Sequence, residues 1–429
     1  MNLLEAVPSH WIKASVGNYC DVQLGKMLQS DPASQNDESK RYLRAINITK
    51  HGLDLSHDFS MWIKPQEMEK FRLQRGDILV SEGGDAGRTA VFDCDEEFYF
   101  QNAINRIRPA GNSTILPEFI YYWFTFLKVA GYVEMVCNVA TIAHFTAEKV
   151  KAAPLALPPL KTQHSIAQFL DEKTARIDGL IEKKCALLDR LAEKRQALIT
   201  RAITKGLDPN AIMKPSGTEW LGHIPANWEV KKLRRVRRYM TSGSRDWAAY
   251  YADEGDRFLR MTNVTGEGIE LDLSETRYVN LDGATEGTRT SVREGDILIT
   301  ITAELGAVAV IRKEIEGAYI NQHLALFRPS PELCESGFLV NFLSTDMARA
   351  QFMLSGQGGT KQGLGFEQVN NVIIGFPPLR EQELIGNFCS EIRRQSESVE
   401  QPLKLSIDKL IEYRSAVITA AVTGQLEIA

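Results

Sequence analysis

The 429-residue chain reads as an α+β protein of two sheet-rich domains, related by an approximate two-fold and separated by two long antiparallel helices. Three observations predict this. First, the sequence repeats: Arg41-Tyr-Leu-Arg-Ala-Ile-Asn-Ile-Thr49 returns as Arg257-Phe-Leu-Arg-Met-Thr-Asn-Val-Thr265, a shift of 216, and Gly76-Asp-Ile-Leu79 as Gly295-Asp-Ile-Leu298, a shift of 219. Second, each copy changes character at a Pro-Pro, Pro158-Pro159 and Pro377-Pro378, from short β-branched runs to a helical pattern. Third, the repeat is far longer than a solenoid unit, so each copy is a domain with an appendage. With 44% apolar and 24% charged residues the chain has the composition of a folded globular protein.

The elements follow in order. Residues 1–158 form the first sheet-rich domain, with a strand from Asp77 to Ser81 closed by Glu82-Gly83-Gly84. The aromatic run Phe119 to Val129 reads as a core helix. Residues 159–206 form a central helix, its apolar stripe being Ile166, Leu170, Ile177, Ile181, Leu188, Leu191, Leu198 and Ala202. Residues 207–378 repeat the domain, with strands over Asp296 to Thr302 and Val308 to Arg312 and a helix over Phe338 to Phe352. Residues 379–429 repeat the helix, striped by Ile385, Phe388, Ile392, Val399, Leu403, Leu410, Tyr413, Val417 and Ala421. Stripes this narrow on helices of roughly forty residues want a partner helix, and the other copy supplies it. Pro402 should kink the second helix or end a turn there.

A net charge of −5 excludes a generic polyanion binder, so any nucleic-acid contact must be local. Lys161 to Gly206 is the one net-positive segment, with ten basic and six acidic residues. No stretch is long and apolar enough for a membrane span, no secretory leader is visible, and the six cysteines are scattered, all consistent with a reduced cytoplasmic protein. No phosphate loop, dinucleotide fingerprint or metal-spaced histidine pair appears, and the Asn/Asp-Pro-Pro-Tyr/Phe motif of amino-methyltransferases is missing. Asp171 with Glu182-Lys183-Lys184 mimics a metal-nuclease spacing but falls on the helix, where a nuclease would need a strand hairpin.

Two features suit nucleic acid. Lys231-Lys-Leu-Arg-Arg-Val-Arg-Arg238 puts six cations in eight residues, enough to make binding steeply salt-dependent. Gly356-Gln-Gly-Gly-Thr-Lys-Gln-Gly363 is a loop whose bare backbone could approach a duplex while Thr360, Lys361 and Gln362 donate hydrogen bonds. Its counterpart, Asn138 to His144, keeps Thr141 and differs elsewhere, so one frame would read two sequences.

These pieces resemble the specificity subunit of type I restriction-modification systems, nearly end to end. The resemblance rests on Pro-Pro-Leu-x-x-Gln at Pro158 to Gln163 and Pro377 to Gln382, and on Arg-x-Ala-x-Ile-Thr at Arg195 to Thr200 and Arg414 to Thr419. Gly206-Leu-Asp-Pro209 and Ser216-Gly-Thr-Glu-Trp-Leu-Gly-His-Ile-Pro-Ala-Asn-Trp228 add to it; the first copy opens with only Pro8-Ser-His-Trp11. It implies a subunit with no catalytic activity and no cofactor of its own. Two target recognition domains would each read half of a bipartite double-stranded DNA site. Two methyltransferase subunits would bring S-adenosylmethionine, and restriction subunits, where present, ATP and Mg. The DNA-facing candidates are Lys26, Arg44, Asn47, Lys50 and Thr141 in the first copy. In the second they are Lys231, Lys232, Arg234, Arg235, Arg245, Arg260, Asn263, Gly358, Gly359, Thr360, Lys361 and Gln362. The partner-facing candidates are Ile177, Ile181, Leu188, Leu191, Leu198, Ile392, Val399, Leu410 and Val417. The alternative from another class is a duplicated protein-binding scaffold, which would not need its loops to diverge while its frame is kept.

Overall fold

A computed structural model describes residues 3–5, 7–50, 52–111, 114–137, 144–244, 247–266, 268–281, 287, 289–354 and 363–428. The chain divides into two compact units: Met1–Cys185 with Lys404–Ala429, and Ala186–Leu403. Each contains one sheet-rich domain and a share of each long helix.

In the first unit the central sheet is antiparallel, in the order Cys20–Leu24, Ile104–Pro109, Ile78–Ser81, Thr89–Val91. The strand Ile78–Ser81 is buried on both faces, which is why it reads as an unbroken apolar run rather than an alternation. Ile78 and Val80 enter the core shared with the helix Pro117–Val129, while Leu79 enters a separate lobe core with Leu43, Ile63 and Phe100. That lobe is a small sheet of Ser60–Ile63, Glu38–Leu43 and Tyr99–Phe100. A third pairing, Ile12–Ser15 with Pro154–Leu157, leads the chain into the first long helix. The aromatic run packs inward as its helical spacing predicts: Phe119, Trp123, Phe124 and Leu127 are all buried, each such side chain contributing about 1.5–3 kcal/mol. Trp123 Nε1 donates to the carbonyl of Pro154 at 2.7 Å, tying that helix to the strand.

The second unit repeats the plan. Arg237–Ser242, Leu324–Pro329, Ile297–Thr300 and Val308–Val310 form the central sheet in the same antiparallel order. Ile297 and Ile299 face one core and Leu298 the other. Glu229–Lys232 pairs with Ile373–Phe376. The lobe has one strand more than its counterpart, in the order Tyr251–Ala252, Arg277–Val279, Asp256–Leu259, Tyr319–Ile320. One expectation is revised in detail. The helix expected over Phe338 to Phe352 is two, Ser336–Leu343 and Asp346–Leu354. The break falls where the Ser344 and Thr345 hydroxyls donate to the carbonyls of Asn341 and Phe342, competing with the helical ladder.

The long helices are Leu160–Lys205 and Leu379–Val422, 46 and 44 residues. Within each unit their segments run antiparallel. In the first, Arg414 makes a bidentate pair with Asp178 at 2.8 and 3.1 Å, while Ile166 and Leu170 share a core with Ile418, Ala421 and Val422. In the second, Arg195 Nη1 meets Glu400 Oε1 at 2.6 Å, and Ile199, Ala202 and Ile203 share a core with Ile385 and Cys389. The helix does not end at Pro402. Proline offers no N–H to the carbonyl of Ser398, and both residues are exposed, so solvent replaces that donor. Among the described residues, no helix is long and apolar enough to cross a membrane.

Candidate nucleic-acid interface

The repeated sequence motifs prove to be the joints of the frame. In the first unit Arg108 grips Asp77 through Nε and Nη2 at 2.6 and 2.6 Å, and in the second Arg328 grips Asp296 at 2.7 and 2.6 Å. Arg108-Pro109 recurs in the sequence as Arg328-Pro329, and in each unit this repeat meets the Gly-Asp-Ile-Leu repeat across neighbouring strands. The motif glutamine after each Pro-Pro is buried and fully bonded. Gln163 Oε1 accepts from the Leu116 N–H at 2.8 Å, and its Nε2 donates to the carbonyls of Thr114 and Pro158 at 3.0 and 2.9 Å. Gln382 repeats this with Glu335 N–H at 2.9 Å and the carbonyls of Leu333 and Pro377 at 3.1 and 2.8 Å.

A second duplicated device sits on the lobes. Arg44 and Arg260 each precede a short 3-10 turn, Ala45–Asn47 and Met261–Asn263. Asn47 Oδ1 accepts from the Arg44 N–H at 2.8 Å and its Nδ2 donates to the carbonyl of Asp54 at 2.7 Å; Asn263 does the same with Arg260 and Asp272 at 2.8 and 2.7 Å. Both asparagines are buried, so their amides serve the turn rather than a ligand. The aspartates belong to an identical Leu-Asp-Leu-Ser, Leu53 to Ser56 and Leu271 to Ser274, a further repeat that identity along the chain alone makes visible. The Ser56 hydroxyl and N–H hold the Asp54 carboxyl below its ordinary range, and the Ser274 N–H and hydroxyl do the same for Asp272. Beneath the turns, Gly25 and Gly243 admit a neighbouring chain so close that a Cβ would lie 2.3 Å from the Gln101 carbonyl carbon or 2.1 Å from the Ile320 oxygen.

What the turns present differs. Arg44 is exposed, its guanidinium 5.0 Å from the Phe59 ring centroid. Arg260 is half-buried beside Tyr251 and Tyr278. Lys26 is buried against Glu67 at 2.7 Å, so it braces the lobe, while Lys50 is exposed beside the strand Ile48–Thr49. Burial and Lys26 pull the Glu67 carboxyl in opposite directions, and Lys26 wins, holding it below the carboxylate range.

The basic run lies on Glu229–Lys232, the turn Leu233–Arg235 and the start of the strand Arg237–Ser242. Lys231 meets Glu229 at 3.1 Å and lies 4.3 Å from the Phe376 ring centroid; Lys232 reaches Asn371 at 3.3 Å and Arg237 reaches Asn370 at 2.9 Å. Arg234 and Arg235 are exposed, and neither forms an ion pair among the described residues. Thr141, Arg245, Gly358, Gly359, Thr360, Lys361 and Gln362 lie outside the described residues. The residues just after both candidate loops are pinned alike: the Phe145 N–H donates to the Glu82 carbonyl at 2.8 Å, and the Leu364 N–H to the Ile301 carbonyl at 2.9 Å.

On the helices, Ile177 is buried, and Val417 and Ile392 pack on their units' cores. Ile181, Leu188, Leu191, Leu198 and Leu410 are half-buried, and Val399 is 51% exposed. Leu180, Leu187, Leu405, Ile411 and Tyr413 are also exposed on these helices.

One scaffold built twice, bonded alike and rimmed with different side chains, defines a protein with two recognition modules. The type I restriction modification DNA specificity domain matches residues 8–188 and again 225–406, and the chain belongs to that family. It is 22% identical over 438 residues to the type I restriction enzyme EcoBI specificity subunit of Escherichia coli, covering 99% of this chain and 88% of that protein. With the type I restriction enzyme MjaVIII specificity subunit of Methanocaldococcus jannaschii it shares 22% identity over 419 residues, 94% of this chain and 93% of the relative. A solved chain from work on complex assembly and conformational transition of the type I R-M system shares its fold, with a TM-score of 0.71 at 18% identity, covering 98% of this chain and 99% of the other.

Proposed function

We propose that this chain is the sequence-reading subunit of a type I restriction-modification complex, each copy reading one half of a bipartite double-stranded DNA site. The observation that carries this is the duplicated arginine turn: the same buried Asn and Leu-Asp-Leu-Ser staple hold Arg44 and Arg260, while the surroundings differ. A frame kept rigid while its rim varies suits readers of two sequences, where a protein-binding scaffold would have no such need. The chain supplies specificity and no chemistry. Two methyltransferase subunits would bring S-adenosylmethionine and dock on the exposed apolar positions of the long helices, Leu180, Leu187, Val399, Ile411 and Tyr413 among them. Restriction subunits, where the system has them, would bring ATP and Mg, and the assembly would work in the cytoplasm. Phosphate contacts fall to Arg234 and Arg235, the cations of the basic run that no described residue engages in an ion pair. The candidate loops, with Thr141 in one and Thr360, Lys361 and Gln362 in the other, would approach the bases.

The test is an exchange of Leu207 to Phe376 for the equivalent segment of a relative, followed by sequencing of methylated bases in a host expressing the whole system. One half of the modified site should change and the other stay. An exchange that altered both halves, or neither, would overturn the reading.

A further inference from the structure

The lobe of the second unit carries a concave site of about 340 Å³, lined by Tyr251, Asp253, Arg260, Glu275, Arg277 and Tyr278 among others. Four of these side chains are charged, two of each sign, yet none forms an ion pair with a described residue. Arg277 has its guanidinium 5.4 Å from the Tyr251 ring centroid, a stack that orients its fork without occupying its donors. Arg260 donates from Nη2 to the Glu275 carbonyl at 3.3 Å and leaves a buried Nε without a partner. In the first unit's lobe, by contrast, two cations are engaged by carboxylates: Arg41 pairs with Asp58 at 3.4 Å and Glu96 at 2.5 Å, and Lys40 with Glu38 at 2.9 Å and Glu97 at 3.2 Å. Opposite charges gathered in one concavity, with no ion pair among the described residues, suit a ligand that presents both acceptors and a donor.

We propose that this site reads a G·C base pair within the half-site assigned to the second copy, with Arg277 addressing guanine and Asp253 addressing cytosine. The inference rests on the reading of the chain as a DNA recognition subunit. Guanine offers O6 and N7 as paired acceptors that match a guanidinium fork, and cytosine offers the N4 amino group, which a carboxylate accepts. An A·T pair fails on both sides: adenine turns its N6 donor toward the arginine, and thymine its O4 acceptor toward the carboxylate. A phosphate is disfavoured because Asp253 and Glu275 would stand beside it. Arg260, held by the Asn263 turn, lines the same concavity.

The test uses the chain assembled with the methyltransferase subunits of its own system, as wild type and as Arg277→Ala and Asp253→Ala, and scores methylation of duplexes randomised one position at a time in both half-sites. Wild type should demand G·C at one position of one half. Arg277→Ala should lower methylation of that site roughly 5- to 140-fold and admit other base pairs there, leaving the remaining half-site as selective as before. Asp253→Ala should relax the same position, and it decides the question by the same readout if the arginine variant fails to assemble. Unchanged selectivity in the variants, or equal weakening on every sequence with a shallower salt dependence, would overturn the inference. Failure of the underlying reading looks different: exchanging Leu207 to Phe376 would then leave both half-sites unmoved, whereas failure of this inference alone leaves that exchange effective.

Discussion

At the residue scale, buried polar side chains with duplicated roles decide the frame. Asn47 and Asn263 each satisfy two backbone groups, so Asn47→Ala leaves the Arg44 N–H and the Asp54 carbonyl, both partly buried, without their partner and should cost about 1 kcal/mol. Urea unfolding followed by a probe in the first unit checks this, and the same variant should weaken methylation by displacing Arg44. The Lys26–Glu67 pair makes a prediction in pH. Because the folded-state carboxyl of Glu67 is depressed, its contribution to stability is fully present above the ordinary glutamate range and is lost as pH falls through the depressed value. Glu67→Gln should therefore be less stable than wild type at pH 7 and should converge with it in acid, as read from thermal melts across pH. Burial pushes the thiols of Cys20, Cys334 and Cys389 up to about 12. The exposed Cys185 should accordingly react with a thiol reagent at pH 8 in the native chain, and these three only on unfolding, as peptide mass spectrometry would show.

At the element scale, a buried glutamine in the first turn ties each long helix to its domain. Gln382 links the first turn of the C-terminal helix to the loop before Ser336–Leu343 through two hydrogen bonds and to the carbonyl of Pro377 through a third. Gln382→Ala should cost about 2–4 kcal/mol, since several buried groups lose partners together. Arg195→Ala breaks a half-buried pair with Glu400 and should cost less, so a larger loss for Arg195 than for Gln382 in chemical unfolding would contradict this ranking. Helicity was legible from the four- and seven-residue steps of Ile166, Leu170 and Ile177, which keep one helix face. The break at Ser344–Thr345 was not, because hydroxyl bonding back to the helix leaves no mark on apolar periodicity.

At the scale of the whole molecule, two copies of one frame make recognition modular. If the helices set the gap between the half-sites, four extra residues in each helix, placed among the exposed positions near Leu187 and Leu405, add about 6 Å of helix. That is close to two base pairs, so methylome sequencing should show both halves kept and the unspecified middle lengthened. Removing Arg234 and Arg235 together should instead weaken binding of the assembled complex to every duplex and lower the salt slope by about two. A salt slope left unchanged would return both arginines to solubility.

By itself the sequence determined the duplication, the change from sheet to helix at each Pro-Pro, and the family, because these depend on spacing and identity along the chain. The motif residues Asp77, Arg108, Gln163 and their counterparts were visible as repeats, but their partnerships were not. Asp77 and Arg108 lie 31 positions apart and meet only when two strands pair. The candidate site divided in the same way. Cation-rich stretches could be seen, yet a run of six charges does not say which are engaged by Glu229, Asn370 and Asn371 and which are left to solvent. The concavity of Tyr251, Asp253 and Arg277 was invisible for the same reason: it is assembled from separate strands, and whether a charge is paired is a property of three-dimensional packing.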